Sequence, residues 1–405
     1  MAEPHKNTTI PRRRLAPNEK RVPTIVMILA FLFVAGIGYV AGVANNAFTA
    51  NLRTLVGGKE LDLSLVQETY DELQSNFDGD LDEQALVEGA SKGLVEAAGD
   101  RYTVFMNSKE SNSFDDALTG NIGGGVGIEI AMRGDSDIPT VVRVLLDNPA
   151  EKAGVAADDS IIEINGESTE DMTLNDVVEK IRGEEGTTVK LTVIRGGVEK
   201  EFNITRQQVN NPSAYGEVKD GVGILTITRF DDNTGSLART VAKDFKKQGV
   251  KGVVLDLRGN GGGYVTAAQA VAGIWLDNKL VTTERSGGKV TDELKSTGNP
   301  ILNGVKTVVL VNESSASASE IVAGALRDHK VATIMGETSF GKGSVQKLVN
   351  LSGGATLKVT IARWYTPSGA TISEKGITPD ITIDRSPEDI DAGRDPQLNA
   401  AIASF

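Results

Sequence analysis

The sequence predicts an α/β fold whose main sheet is largely parallel. From about residue 209, strand-like apolar runs alternate with amphipathic helical runs. Such alternation is typical of parallel sheets, because a crossover between parallel strands needs a connection long enough to hold a helix. Catalytic groups are then expected at the carboxyl ends of the strands. The expected strands are 223–229, 252–258, 306–311 and 332–335, and the expected helices are 236–247, 265–276 and 317–330.

The composition of the 405-residue chain excludes several kinds of catalytic and metal-binding site. Its length allows two or three domains, each with its own core. Cysteine is absent, which excludes disulfides, thiolate metal sites and cysteine nucleophiles. Only two histidines are present, His5 and His329. Two are too few for a histidine-rich zinc site, and they leave few candidates for the base of a Ser-His-Asp triad. No metal is therefore expected.

The charge is unevenly distributed. The net charge is −13, yet residues 1–23 carry six basic and two acidic residues, so the rest of the chain is more acidic than the whole. An acidic body binds phosphate poorly, which argues against nucleic acid as a partner.

An apolar segment follows this basic arm. No charged residue lies between Arg21 and Arg53, and residues 24–44 are about long enough to cross a bilayer core of ~30 Å. The positive-inside rule then leaves residues 1–23 in the cytoplasm and predicts a single-pass cell-membrane protein with an extracytoplasmic body. The alternative is secretion after signal cleavage near the small residues 42–44, although the run exceeds the ~7–15 residues usual for a signal's apolar region.

Residues 45–118 are predicted to be helical. Apolar residues recur near one face on each side of a polar break at residues 78–80. These helices are expected either to mediate self-association or to serve as a spacer between membrane and body. The apolar positions are Leu65, Tyr70, Leu73 and Phe77, followed by Leu86, Ala90 and Leu94.

Residues 119–206 resemble a PDZ domain. The resemblance rests on the apolar glycine loop formed by Gly125, Val126, Gly127 and Ile128, together with residues 148–155 and 161–166. In that family the loop amides hold the carboxylate of a peptide's C-terminus while the peptide adds a strand to the sheet. The resemblance therefore implies protein or peptide partners with apolar C-terminal tails. A tight loop without a ligand is the alternative.

The sequence also predicts the secondary structure of residues 119–206. Short strands are expected at 140–145, 160–164 and 188–194, and a helix at 174–182. PDZ domains usually have Pro-Gly-Asp before the strand at 160–164, whereas this chain has Ala-Asp-Asp at 157–159. The turn is expected to differ there.

Ser317 is the first candidate for chemistry. It follows the strand at 306–311, and Glu320 three residues later completes a capping-box pattern, which places Ser317 where the strand turns into a helix. A serine there lies at the positive end of the helix dipole, and nearby amides could stabilise an oxyanion. A helix cap with no catalytic role fits the same local sequence.

A glycine-rich turn at 259–263 ends the strand at 252–258. Glycines after a strand let backbone amides approach an anion, so this turn could supply part of an oxyanion hole. A dinucleotide-binding loop is the alternative, but Tyr264 stands where the last glycine of that motif belongs. No cofactor is expected.

Lys342 is the second candidate. Residues 336–343 nearly match a phosphate-binding loop, but Gly343 replaces the hydroxyl residue and a strand-like run follows, which disfavours a nucleotide site. The remaining interpretation is a lysine partly buried in an apolar pocket, whose lowered pKa yields a neutral amine able to act as a base. His5 belongs to the arm, and His329 lies ~18 Å from Ser317 along the predicted helix.

Two motifs connect these candidates to one family. Residues 315–321 read SASASEI and residues 340–346 read FGKGSVQ, and both resemble the carboxyl-terminal processing peptidases, also called tail-specific proteases. The likeness covers nearly everything after residue 44. Further similarity lies at 256–260, 365–369 and 376–380.

The resemblance implies roles for individual residues. It assigns Ser317 as nucleophile, Lys342 as base and Gln346 as an orienting amide, with oxyanion donors at Gly262 and Ala318. It also implies a Clp/crotonase-like core at 207–386, followed by a tail at 387–405. Many relatives carry proline where this chain has Gly261, which bears on the shape of that loop.

The expected activity is that of a serine endopeptidase. It would recognise an apolar C-terminal tail through the PDZ domain and cleave the chain through an acyl-enzyme on Ser317. One alternative is a non-catalytic, membrane-anchored PDZ scaffold. A trypsin-like protease with a PDZ domain is disfavoured, because that fold needs a histidine ahead of the serine in the exported region.

Overall fold

The computed structural model describes residues 61–133 and 138–405. The chain divides into two compact units, residues 1–83 and 84–405. In the first unit, helix α1 spans Ser64–Asn76. The predicted cytoplasmic arm and the apolar segment 24–44 lie outside the described residues. Within the described ranges, no helix combines the length and apolar character needed to cross a bilayer.

A six-stranded sheet forms the centre of the second unit. Its order is β10-β11-β12-β15-β16-β19, and all neighbouring pairs are parallel except β10 with β11. The predicted parallel sheet is thus present, with an antiparallel edge strand added. The strands are β10 Ala214–Lys219, β11 Val222–Ile227, β12 Gly252–Asp256, β15 Thr307–Val311, β16 Ala332–Gly336 and β19 Ile381–Thr382.

Both faces of this sheet are covered. Along β15, Val309 and Val311 face the larger core while Val308 and Leu310 face a smaller one, which is the period-two alternation of a strand. Continuous apolar runs are therefore needed, since neither face meets water. The larger core lies against helices α6 Thr234–Gln248, α7 Val265–Ala272 and α8 Ala318–Asp328.

Residues 387–405 pack against the other face. Helix α9 spans Pro387–Asp391 and helix α10 spans Pro396–Ala403, and Ala401 joins the smaller core. The segment set apart as a tail by its sequence is therefore part of the folded body. Arg258 ties it to the sheet through hydrogen bonds to Asp395 and Gln397.

A second, antiparallel sheet lies beside the first. Strands β1, β18, β13 and β14 follow one another, and β17 also pairs with β18. The short β1 comes from the helical N-terminal region, so this sheet joins residues far apart in sequence. The strands are β1 Val104–Met106, β13 Leu280–Ser286, β14 Lys289–Lys295, β17 Ser344–Asn350 and β18 Thr356–Tyr365, and helices α2 Glu83–Glu96 and α3 Ser108–Thr119 flank β1 in sequence.

The PDZ-like region has its own sheet and core. Strands run in the order β3-β4-β5-β7-β8, with β6 paired to β5, around buried side chains such as Val141, Ile161 and Leu191. The elements are β2 Gly124–Gly125, β3 Ile128–Arg133, β4 Ile138–Val144, α4 Pro149–Ala153, β5 Ser160–Ile164, β6 Glu167–Ser168, α5 Leu174–Ile181, β7 Thr188–Arg195, β8 Val198–Thr205 and β9 Gln207–Gln208.

The turn before β5 has Ala-Asp-Asp at 157–159, where PDZ domains usually have Pro-Gly-Asp. Asp158 adopts a left-handed backbone conformation with φ 67°, which aspartate tolerates better than most residues. Asp159 accepts hydrogen bonds from the Ala156 amide and from Arg195. Asp158 and Asp159 thus form this turn without the glycine that PDZ domains usually have there.

Candidate active site

Ser317 lies at the junction of β15 and α8. Its backbone has φ 53° and ψ −113°, a conformation that costs free energy for a residue with a side chain and that is held by surrounding structure. The hydroxyl of Ser315 donates to Leu257 O at 2.8 Å, and the Ala316 amide donates to Asn260 O at 3.0 Å. The serine turn is therefore anchored to the end of the neighbouring strand β12.

The glycine turn approaches Ser317 closely. A Cβ atom on Gly262 would lie 2.8 Å from Ser317 Cβ and 2.8 Å from Ala316 O, so only glycine fits this position. The Gly262 amide donates to Asn260 Oδ1 at 2.9 Å, and Asn260 is fully buried. In this conformation the predicted oxyanion donor Gly262 is engaged by a side chain of its own turn.

The second predicted oxyanion donor is at the start of α8. The Ala318 amide belongs to the first residue of the helix, so it has no acceptor within the helix. Its nitrogen would lie 3.1 Å from a Cβ atom on Gly262, which places the two backbones side by side. The helix N-terminus thus places the Ala318 amide beside the Gly262 turn, next to Ser317.

Lys342 lies on the loop before β17 and is half-buried. Burial lowers the pKa of the Lys342 ammonium, the positive charge of Lys358 lowers it further, and the Glu320 carboxylate opposes both effects. The lysine Nζ lies 5.8 Å from the centre of the Tyr102 ring. The surroundings of Lys342 therefore favour its neutral form more than water does.

One cavity connects the candidates. Its volume is about 670 Å³, and Ser317, Lys342, Gln346 and Gly262 all line it. These residues come from the N-cap position of α8, from the strand β17 and the loop before it, and from the turn after β12. The structure therefore brings together four of the five site residues predicted for catalysis, and Ala318 adjoins them.

Glu320 links the serine and lysine loops. One carboxylate oxygen accepts the Ser317 and Lys342 amides at 2.8 and 3.0 Å, and the other accepts the Ser339 hydroxyl and the Gly341 amide at 2.6 and 2.7 Å. Glu320 is fully buried, and this burial raises its pKa while the four donors act in the opposite direction. The capping-box residue thus holds both candidate catalytic loops.

The predicted carboxylate loop of the PDZ region precedes β3. Val126 O accepts the Ala150 amide at 2.8 Å, and Gly127 O accepts the Leu145 amide at 2.9 Å, so the loop carbonyls are engaged inside the domain. Gly127 has φ 80° and packs against Asn148. Among the described strands, β3 pairs with β4 alone, so its other edge, beside α5, is available for a further strand.

Three protein families match parts of this chain. Peptidase family S41 matches residues 221–383, the PDZ domain family matches 117–194, and the activating protease CtpB N-terminal domain family matches 43–110. A probable CtpA-like serine protease of Staphylococcus haemolyticus (strain JCSC1435) is 34% identical over 383 residues, which cover 94% of this chain and 75% of the relative. The chain belongs to peptidase family S41.

Further relatives support the assignment of this S41 peptidase. A probable CtpA-like serine protease of Staphylococcus aureus (strain MSSA476) is 34% identical over 89% of this chain and 72% of its own length. The solved photosystem II D1 C-terminal processing protease has 31% identity and a TM-score of 0.51, over 81% of this chain and 88% of that one. A putative S41 protease from Bacteroides fragilis shares the fold, with 19% identity and a TM-score of 0.59 over 81% and 92%.

These findings confirm the family resemblance and the expected activity class. The S41 peptidase is a C-terminal processing serine protease with a PDZ domain, and therefore a hydrolase rather than the non-catalytic scaffold considered above. The S41 fold with a PDZ domain is likewise confirmed. The matched ranges overlap the predicted regions 45–118, 119–206 and 207–386.

Gln346, the predicted orienting amide, makes its hydrogen bond to the N-terminal segment. Its side-chain amide donates to Tyr102 O, and Tyr102 in turn places its ring near Lys342. Gln346 is thereby connected to the lysine through the N-terminal segment of the S41 peptidase. The Lys342 carbonyl is held separately, by the indole NH of Trp364 at 2.9 Å.

Several residues of this site were not identified from the sequence. The antiparallel pairing of β1, β17 and β18 brings three of them to the site: Tyr102, Lys358 and Trp364. No local sequence pattern predicts pairing between strands so far apart in the chain. Glu320 was visible as part of a capping box, but its contact with the lysine loop was not. The signal in the sequence was the capping position alone.

Proposed function

We propose that this S41 peptidase cleaves proteins near their C-termini through an acyl-enzyme on Ser317, with Lys342 as the general base. The observation that carries the proposal is that a strained serine at a helix N-terminus and a lysine of lowered pKa line one cavity. A neutral amine beside a hydroxyl is a known variant of triad chemistry. The oxyanion donors Gly262 and Ala318 belong to the same proposal.

The reaction then proceeds in two halves. The neutral Lys342 amine accepts the Ser317 hydroxyl proton as Oγ bonds to the scissile carbonyl carbon. The resulting ammonium returns that proton to the leaving amine as the C–N bond breaks, which leaves an ester on Ser317. The same amine next deprotonates a water molecule, which attacks the ester and frees the serine.

The developing oxyanion needs backbone donors. The Ala318 amide is supplied by the start of α8, where the helix dipole also favours negative charge. The amide of Gly262 can contribute once it leaves Asn260 Oδ1, which requires a local change in the 259–263 turn. We therefore assign the glycine turn two conformations, one with the Gly262 amide engaged by Asn260 and one with it directed at the substrate.

Two substitutions test the dyad. Ser317→Ala and Lys342→Met should each reduce kcat/KM on a tail-bearing peptide by on the order of 10⁴-fold, and the double variant should be little worse because the two groups act as a unit. Steady-state peptidase assays measure this, with Lys347→Met as the control for loss of a nearby lysine. Near-native turnover by either Ser317→Ala or Lys342→Met would refute the dyad.

The PDZ domain is proposed to bind the substrate tail. Its free β3 edge and the glycine loop of Gly125, Val126, Gly127 and Ile128 suit an added strand that ends in a carboxylate. A tail peptide with a free C-terminus should therefore bind the Ser317→Ala protein more tightly than the same peptide with an amidated C-terminus. Equal affinities in calorimetry would count against a carboxylate loop.

Residues 24–44 are proposed to anchor the protease in the cell membrane. The support is their uncharged, apolar character and the basic arm before them, which also predicts a cytoplasmic N-terminus and an extracytoplasmic protease. Cleavage near residues 42–44 with secretion is the alternative.

The N-terminal helices are proposed to mediate self-association. Leu65 on α1 and Phe77 directly after it are exposed, and so are Val87 and Leu94 on α2, so both helical segments present apolar surface to solvent. A second copy of the chain would cover such surface. Light scattering on the purified protein tests the proposal, and a monomer at all concentrations would contradict it.

A further inference from the structure

The cavity beside Ser317 has an unusual charge. Four cationic side chains line it, whereas no Asp or Glu of the described residues does. The chain as a whole has 55 acidic and 42 basic residues, so composition alone would favour the opposite sign. A cleft lined by one sign of charge concentrates ligands of the other sign. The cations are Arg229, Lys342, Lys347 and Lys358.

Three of these cations have an ion pair, a proposed catalytic role or exposure to solvent. Arg229 pairs with Asp231 at 2.9 Å and also donates to the Asn211 carbonyl. Lys342 is the proposed base, which acts in its neutral form. Lys347 is exposed to solvent, where its charge is well hydrated.

Lys358 is a half-buried cation that has no ion pair among the described residues. It projects from β18, is half-buried, and its Nζ lies 5.2 Å from the centre of the Phe114 ring. No Asp or Glu in the described part of the chain forms an ion pair with it, and burial lowers its pKa. A partly desolvated ammonium of this kind gains free energy when an anion reaches it.

Part of the wall of the cavity that Lys358 lines is apolar. Helix α3 contributes Phe114 and Leu118, helix α8 contributes Ile321, and β18 contributes Trp364. A ligand that fits such a space has an apolar stem and a negatively charged end. The carboxylates of peptide substrates have this form, either as an acidic side chain or as the C-terminus of the peptide.

We infer that Lys358 binds a substrate carboxylate close to the scissile bond, so that this peptidase prefers substrates with a negative charge there. The inference rests on the proposed function, since Ser317 must attack a peptide that occupies the same cavity. It adds a specificity residue from the β18 strand to a site whose chemistry lies on the other elements.

Peptide substrates test this preference. The probes are fluorogenic peptides that differ only at the residues flanking the scissile bond, each with Glu, Gln, Leu or Lys there and an amidated C-terminus. At one position the native enzyme should favour Glu over Gln in kcat/KM by ~10-fold, the range of a hydrogen bond to a charged group. A second series with free-acid C-termini separates the two sources of carboxylate, since a gain in that series alone that is lost in Lys358→Met assigns Lys358 to the peptide terminus, whereas a gain kept in Lys358→Met belongs to the PDZ loop.

Variants of Lys358 provide the decisive comparison. Lys358→Met should bring the Glu to Gln ratio close to one, Lys358→Arg should retain the preference, and Lys358→Glu should reverse it towards Lys. Using the ratio removes any effect on the base that both peptides share. Lys289→Met, which removes an exposed lysine of β14 outside the cavity, should leave the ratio unchanged.

The outcomes separate this inference from the proposed function. Native enzyme that cleaves every peptide with no preference for a negative charge in either series would overturn the subsite and leave the dyad standing. A Lys358→Met variant that keeps the native Glu to Gln ratio would also overturn it. Failure of the dyad would instead appear as activity in Ser317→Ala.

Discussion

At the scale of single residues, Gly262 illustrates how the site depends on close backbone approach. Its φ of 104° is unfavourable for any side chain, and its missing Cβ leaves room for Ser317 and Ala316 O. The neighbouring Gly261 has no atom within 4 Å of its Cβ position. Two adjacent glycines therefore differ sharply in what they permit.

A pair of substitutions makes this difference measurable. Gly262→Ala should reduce kcat strongly and destabilise the fold by ~1–3 kcal/mol, because the added methyl group meets the nucleophile turn and the backbone conformation is strained. Gly261→Ala should have little effect on either quantity. Peptidase assays and denaturant unfolding of both variants check the prediction, and equal effects would show that the approach to Ser317 is not limiting.

Lys342, as the proposed base, should determine how activity depends on pH. If its amine accepts the Ser317 proton, activity should rise as the ammonium loses its own proton, and its lowered pKa places that rise below the ordinary lysine value of 10.5. Lys358 contributes to this lowering through its positive charge, while Glu320 opposes it. Neighbouring charges therefore shift the pKa of Lys342 in opposite directions.

Removing Lys358 should shift the pH profile. In Lys358→Met the pKa of Lys342 should increase, so the rising limb of kcat/KM against pH should move to higher pH. The profile is measured with the peptide carrying Leu, and Lys347→Met serves as the control. An unchanged limb, or a shift to lower pH, would show that Lys358 does not depress the pKa of Lys342.

At the scale of elements, Glu320 couples helix α8 to the loop before β17. Its buried carboxylate is surrounded by four donors, two on each oxygen. An amide in its place would direct NH₂ at two of those donors. The helix start and the lysine loop therefore depend on one ionised side chain, even though burial raises its pKa.

Glu320→Gln should accordingly damage stability and activity together. We expect the free energy of unfolding to decrease by ~1–3 kcal/mol, the cost of leaving buried donors unsatisfied, and kcat to fall because both loops lose their common support. Glu217→Gln, an exposed change on β10, is the matched control. Native kcat in Glu320→Gln would show that the two loops are positioned independently of this carboxylate.

At the scale of the whole molecule, the proposed anchor at residues 24–44 predicts where the protease works. Fractionation of cells that produce the full chain should place it in the membrane pellet, resistant to high salt, whereas a chain beginning at residue 45 behind a cleavable signal should remain soluble. Recovery of the full chain in the soluble fraction, shortened at its N-terminus, would favour the signal-peptide alternative.

Much of the architecture was predictable from local pattern. Alternating helical and strand runs indicated the parallel sheet, because period and length are properties of neighbouring residues. The strand boundaries of β11, β12, β15 and β16 agree with the sequence within two residues. The antiparallel sheet was not predicted as such, since β1 and β18 are separated by about 250 residues.

The sequence by itself determined the family, the α/β class and the identity of the candidate nucleophile and base, because each depends on residue types in short, contiguous motifs. Only the tertiary structure decided that Tyr102 and Lys358 border the base, that Gln346 binds Tyr102 and that the Gly262 amide is engaged by Asn260. Those features depend on distance in space and on burial. Neither quantity is encoded in a local run of residues, since both arise when distant strands and turns pack together.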